Sequence, residues 1–170
     1  QARGIVFESL ILDGENRIDG ALIDSYGLNC RFQNLKLSGS TQDGYCAGVA
    51  VAGSHSIVRD CAFSDLAMGV RLRSISRPIS RVEVKDCSFA HIGRRGVSIA
   101  SGGPPVMRVR VENVRIDAPA KACQPVRVDA AKGPVRQIRL LNGTIFDEVT
   151  ESNGDDALSI NSGVASFSIS

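Results

Sequence analysis

Val82-Glu83-Val84-Lys85-Asp86-Cys87-Ser88-Phe89 is answered 27 residues later by Val109-Arg110-Val111-Glu112-Asn113-Val114-Arg115-Ile116. In both stretches apolar and charged residues alternate up to one short polar residue, and an apolar residue returns three positions beyond it. Alternation of period two belongs to a strand. Asp and Asn are types that accept the left-handed backbone of a sharp corner. The same frame runs through the chain, with corner residues Ser9, Asn34, Asp60, Asp86, Asn113 and Asn142 at intervals of 25, 26, 26, 27 and 29 residues. Two positions before each corner stand Phe7, Phe32, Val58, Val84, Val111 and Leu140; three positions after stand Leu12, Leu37, Phe63, Phe89, Ile116 and Ile145. A period in the twenties marks a solenoid, in which each repeat buries its apolar face only against its neighbours.

A third strand follows in each repeat: Gly48-Val49-Ala50-Val51, Gly69-Val70-Arg71-Leu72, Gly96-Val97-Ser98-Ile99, Pro125-Val126-Arg127-Val128 and Ala157-Leu158-Ser159-Ile160. No stretch has helical periodicity, and the consensus of a leucine-rich repeat is missing. The chain therefore reads as all-β, a right-handed parallel β-helix of about six coils with three short strands each. Seventeen Gly and no Trp suit thin strands joined by tight turns. At one strand spacing per coil the rod is roughly 30 Å long. No linker composition divides residues 1–170, which predicts one domain. No amphipathic helix precedes Gly4–Phe7, and the strand pattern runs on to Ser170. Both features predict a segment of a longer chain, or ends covered by something else.

Net charge is +2, which gives nonspecific nucleic-acid binding no support. No apolar stretch is long enough to span a membrane and no signal-peptide pattern stands at the amino end, so neither nucleic acid nor membrane is an expected partner. The cations are sixteen Arg against four Lys, and the flat guanidinium fork grips a carboxylate in two places. Arg59, Arg110, Arg115 and Arg139 fall on outward positions that solvate the walls. Of five Cys, Cys61 and Cys87 occupy one place in consecutive coils and should stack as buried free thiols. No cysteine or histidine spacing suggests zinc, and no metal set is expected. His55 and His91 lack a partner at ligand or triad spacing and read as loop residues.

The third strands carry the candidate chemistry. The residues before them include Arg94-Arg95, Cys123-Gln124 and Asp155-Asp156, and their outward positions are Ala50, Arg71, Ser98, Arg127 and Ser159, with Arg73 and Asp129 at two strand ends. Stacked coils gather Arg71, Arg94, Arg95, Arg127, Asp129, Asp155 and Asp156 into one column. A shallow groove of polar sites repeated at coil height suits an extended polymer, and its arginines favour an acidic one.

The segment Asn153-Gly154-Asp155-Asp156-Ala157-Leu158-Ser159-Ile160-Asn161-Ser162-Gly163 resembles the Gly-Asp-Asp segment of the polygalacturonase family of glycoside hydrolases. That resemblance implies a polysaccharide substrate, no cofactor, and Asp155 and Asp156 as catalytic acid and base. Inversion requires two carboxyl groups roughly 6.5–9.5 Å apart, one protonating the leaving oxygen while the other activates water. The substrate-binding candidates are Arg71, Arg94, Arg95, Gln124, Arg127, Asp129 and Asn161. Two positions depart from the family: Gln124 falls where it has a third aspartate, and Asn161 where it has the lysine of Lys-Ser-Gly. Asp147, Glu148 and Glu151, in the loop leading to Gly154, are further acids beside the groove.

A wider resemblance, to the pectin-lyase-like β-helices, covers the whole chain and keeps two alternatives open. Polysaccharide lyases of this kind bind calcium through aspartates and use an arginine base, which implies Arg127 beside Asp129 and the Asp155/Asp156 pair. Phage tailspikes and adhesins use the fold to hold surface glycans without cleavage, often as a homotrimer. These resemblances imply an extracellular, periplasmic or virion-surface protein.

Overall fold

The computed structural model describes residues 3–15, 20–39, 46–117, 124–146, 158–160 and 164–169. Its strands form three parallel sheets of seven, six and six strands, each chain turn adding one strand to each sheet. The first sheet stacks Val6–Glu8, Arg31–Gln33, Ile57–Arg59, Ile79–Lys85, Val106–Glu112, Val135–Leu141 and Val164–Ile169. The second stacks Ile11–Asp13, Lys36–Ser38, Ala62–Ser64, Ser88–Ala90, Arg115–Asp117 and Thr144–Phe146. The third, which carries the candidate site, stacks Ala21–Ser25, Ala47–Val51, Met68–Ser74, Arg95–Ser101, Val126–Asp129 and Leu158–Ile160. This is the expected parallel β-helix.

The corner between the first and second sheets behaves as its residue types demand. Ser9, Asn34, Asp60, Asp86, Asn113 and Asn142 all have left-handed backbones, with φ between 49° and 56°. Each of the first five donates its N–H to a carbonyl of the following coil, as in Asp60 N to Lys85 O at 3.1 Å and Asp86 N to Glu112 O at 3.0 Å. The hydrogen-bond ladder therefore turns the corner without a break. Side chains bond along the same file, Asn34 Nδ2 to Ser9 Oγ at 3.0 Å and Asn113 Nδ2 to Asp86 Oδ1 at 2.8 Å, in the manner of an amide ladder.

A second left-handed file has no signature in residue type. Asn29, His55, Arg81, Arg108 and Gln137 have φ of 57° to 59°. In the first sheet, Ser80 pairs with Met107 and Val82 with Val109, while Arg81 and Arg108 are skipped as the strands bend. His55 is a member of this file and lies 3.4 Å from Arg81. His91 has φ 51° and pairs with Asp65 at 3.4 Å. Both histidines thus meet a polar neighbour on an adjacent coil.

The core is built from files. Phe7 and Phe32 stack with ring centroids 5.3 Å apart, and Phe63 and Phe89 at 4.8 Å with planes 6° apart. On the third sheet Val49, Val70, Val97, Val126 and Leu158 follow one another in strict register. Val49, Val70 and Val97 are fully buried. The glycine before each of these valines has a packing reason. A Cβ at Gly69 would fall on the ring of Phe89 and 2.8 Å from the Gly96 carbonyl oxygen, and one at Gly48 would meet Phe63 in the same way. Gly69→Ala should therefore lower stability by about 1–3 kcal/mol through overpacking, measured as a fall in the thermal unfolding midpoint by circular dichroism.

Candidate functional site

Alternation on the third sheet sends every second side chain outward, and the register aligns these residues into two files. One runs Asp24, Ala50, Arg71, Ser98 and Arg127. The other runs two positions on, with Arg73 opposite Ala100 and Ala100 opposite Asp129. Continuing the pairing of Ser25, Val51 and Leu72 by one residue adds Tyr26 and Ala52 to it. Each coil thus presents a pair: Asp24/Tyr26, Ala50/Ala52, Arg71/Arg73, Ser98/Ala100 and Arg127/Asp129. Long side chains stand on alternate coils with small ones between them. Ala50 and Ser98 are only 4 % and 3 % exposed although they point away from the core. They are floors, not ridges.

Two clefts result. The first is lined by Asp24, Tyr26, Ala50, Ala52, Arg71, Arg73 and Ile75. The second is lined by Arg71, Arg73, Arg95, Ser98, Ala100, Asp129 and Lys132, among others. The Arg71/Arg73 pair is the wall between them. Neither guanidinium has a hydrogen bond or ion pair with another described residue, although the charge of Arg71 is felt by Tyr26. Tyr26 donates its hydroxyl to Asp24 Oδ2 at 3.2 Å. The negative charge of Asp24 is the largest cause holding the phenol above its usual pKa; partial burial and the hydrogen bond act in the same direction.

At the far wall, Arg127 Nη1 donates to Gln124 Oε1 at 3.0 Å and Nη2 pairs with Asp129 Oδ2 at 3.3 Å. Asp129 Oδ1 accepts the Ala131 N–H at 2.9 Å. Both partners are about three-quarters buried, so the pair is shielded from the screening that makes exposed ion pairs weak. The Arg127 Nε–H is buried and lacks an acceptor among the described residues.

The sequence-derived candidates divide accordingly. Arg71, Arg95 and Asp129 line the second cleft, and Gln124 and Arg127 join it only through the contact of Arg127 with Asp129. Arg95 opens a strand, pairing with Met68, instead of preceding one, and Arg94 lies in the connector with its N–H on the Ala67 carbonyl at 2.9 Å. Both arginines have a polar or electrostatic partner. Asp155, Asp156 and Asn161 lie outside the described residues, as do Asp147, Glu148 and Glu151. The strand Leu158–Ile160 that follows the aspartate pair in sequence lies against Val126–Asp129. Asp24, Tyr26 and Ile75 were missed; for the first two the reason is that the first third-sheet strand carries Leu22-Ile23 where the next three carry Gly-Val. The exposed aromatic after that strand is the signal that could have found them.

A further cleft lies along the corner, lined by Asn34, Asp60, Asp86, Asn113, Cys61 and Cys87. Its aspartates face Arg59 at 3.7 Å and Lys85 at 3.9 Å. The two thiols are free and buried. Cys87 is pushed far above the ordinary thiol range, first by its hydrogen bond to Cys61 and then by burial. The same hydrogen bond holds Cys61 below that range, and the two buried thiols pack beneath the corner ladder. Among the described residues no three His, Cys, Asp or Glu side chains converge as a metal site.

The chain matches no protein-family profile and no curated protein in sequence. Among solved structures it is similar to the Agl-KA catalytic domain, with a TM-score of 0.54 at 12% identity. The likeness covers 99% of this chain but spans only 42% of that one. At that identity what is shared is the fold.

Proposed function

We propose that this chain is a polysaccharide-processing β-helix that lays an extended, acidic glycan along its third sheet and cleaves it as a glycoside hydrolase. The observation that carries this reading is the pair of adjoining clefts along the coil axis, walled by Arg71 and Arg73. Stacked coils present repeated sites to a repeated ligand, and guanidinium groups lacking protein carboxylates suit acidic sugars. The Gly154-Asp155-Asp156 segment supports hydrolysis, with one aspartic acid protonating the glycosidic oxygen and the other activating water. The likeness to Agl-KA adds that a catalytic domain is built on this fold. Substrates of this kind place the protein in the extracellular space, in the periplasm or on a virion.

The Arg127–Asp129 pair favours a second reading, a calcium-dependent lyase with Arg127 as base. Incubation with polygalacturonate, alginate and bacterial capsular glycans separates the two, followed by reducing-end assay and absorbance near the ultraviolet band of unsaturated uronates. New reducing ends without absorbance are the expected result. Added absorbance would replace hydrolysis by elimination. Binding without either product would leave a glycan-holding protein, for which a homotrimer is the natural assembly to look for.

A further inference from the structure

Arg71 and Arg73 border both clefts, so the two arginines by themselves favour neither. What differs is the floor beside them. Arg71 pairs in register with Ala50 on the coil before it and with Ser98 on the coil after. Ala50 offers only a methyl group, and Asp24 lines that first cleft with a carboxylate that opposes an anion. Ser98 offers a hydroxyl.

That hydroxyl is the group the fold leaves unused. Ser98 is only 3% exposed, points away from the core and lines the second cleft. It has no hydrogen-bond partner among the described residues. The buried serines that end the same two strands are satisfied, because Ser74 Oγ and Ser101 Oγ both donate to the Pro104 carbonyl oxygen. A nearly buried hydroxyl without a partner costs folding free energy, and a ligand in the cleft it faces would recover that cost.

Positive charge converges on the same floor. Arg71 stands beside Ser98 and Arg73 beside Ala100, so both guanidinium groups flank it from the coil before. Lys132, in the turn after Val126–Asp129, lines the cleft from the coil after. Arg95 adds its charge at the strand start. The carboxylate in the lining, Asp129, is engaged by Arg127 and by the Ala131 N–H. Donors therefore stand beneath one space and on two sides of it. A carboxylate has two oxygens in one plane, which a single guanidinium fork satisfies. A sulfate or phosphate monoester has three free oxygens in a pyramid and takes donors from several directions.

We infer that the second cleft is a site for a tetrahedral oxyanion, a sulfate or phosphate ester carried on the glycan. Arg71 and Arg73 hold it from one side, Lys132 from the other, and the Ser98 hydroxyl from below. Placing the ester on a glycan rests on the function proposed above, whereas the oxyanion site rests on the cleft alone.

Calorimetric titration of the intact protein with four forms of one oligosaccharide tests it. The probes are an oligogalacturonate, the neutral oligogalactoside made by reducing its carboxyl groups, and that oligogalactoside esterified at O6 with sulfate or with phosphate. At least one ester should bind about tenfold or more tighter than the oligogalacturonate, and inorganic sulfate or phosphate should compete with it. The tighter ester identifies the group. Ser98→Ala should lose about tenfold in affinity for that ester and little for the uronate. Its unfolding midpoint should stay in place or rise, since no protein partner is lost. Arg71→Gln with Arg73→Gln should bring the ester down to the affinity of the neutral oligomer. An oligogalacturonate as tight as both esters, or a Ser98→Ala protein that binds the ester as the parent does, overturns the oxyanion site while the glycan reading stands. If no oligomer binds but inorganic sulfate or phosphate does, and the arginine variant loses it, the site stands and the glycan reading falls. If neither oligomer nor ion binds, both fall.

Discussion

Phe89→Ala should cost about 3–5 kcal/mol, the range for truncating a fully buried aromatic. Phe89 is 1% exposed and stacks face to face on Phe63 one coil below. Removing it loses burial, a ring pair, and the surface against which Gly69 is fitted. For a chain of this size the thermal midpoint should fall by about 6–20 °C, read by circular dichroism. The position also tests the glycine file. If Gly69→Ala is costly because its methyl meets the Phe89 ring, that cost should shrink in a Phe89→Ala background. It should not vanish, because the Gly96 carbonyl is still close to the new methyl. Additive effects would mean that the ring does not dictate the glycine.

Asp155→Asn and Asp156→Asn should each reduce turnover about 10²–10⁴-fold, the usual contribution of a positioned acid or base. The substitution isolates the chemistry. Asparagine is as good a turn residue as aspartate, so if the pair only shapes the entry to the strand Leu158–Ile160, turnover stays unchanged. An amide can neither protonate a leaving oxygen nor activate water. Turnover should therefore collapse while glycan affinity and the unfolding midpoint stay near those of the parent. Unaltered turnover in both variants would remove the pair from the mechanism and leave the arginine-walled clefts as a binding surface alone.

The core of the solenoid was legible because its signals are local and recur. Val84 and Val111 sit two residues before a corner, and Phe89 and Ile116 three after it, so the repeat can be read with no knowledge of the third dimension. The second left-handed file was not. Asn29, His55, Arg81, Arg108 and Gln137 share a backbone conformation without sharing a residue type, and two of them are arginines, which seldom adopt it. In the site, Arg71, Arg127 and Asp129 emerged because they alternate with buried valines. Asp24 and Tyr26 did not, since the first coil has Leu22 where the next three have glycine. That glycine is demanded by Phe63, Phe89 or Ile116 of the neighbouring sheet, whereas the matching residue for the first coil is Leu37, which lacks both the ring of the phenylalanines and the β-branch of Ile116. The floor positions Ala50 and Ser98 were read as outward, which they are. That outward residues could be almost wholly covered depends on tall neighbours one coil away, a relation that a linear string does not display.

Between the first and second strands of every coil the left-handed corner admits only two residues, whereas the connectors from second to third strand differ widely in length. They hold positions 14–20, 39–46, 65–67, 91–94, 118–125 and 147–157. Growth is thus confined to the rim beside the groove, and the cross-section of the rod is insulated from it. A scaffold so divided lets selection, or an engineer, rewrite these connectors by insertion and deletion, without renegotiating a single rung of the sheets.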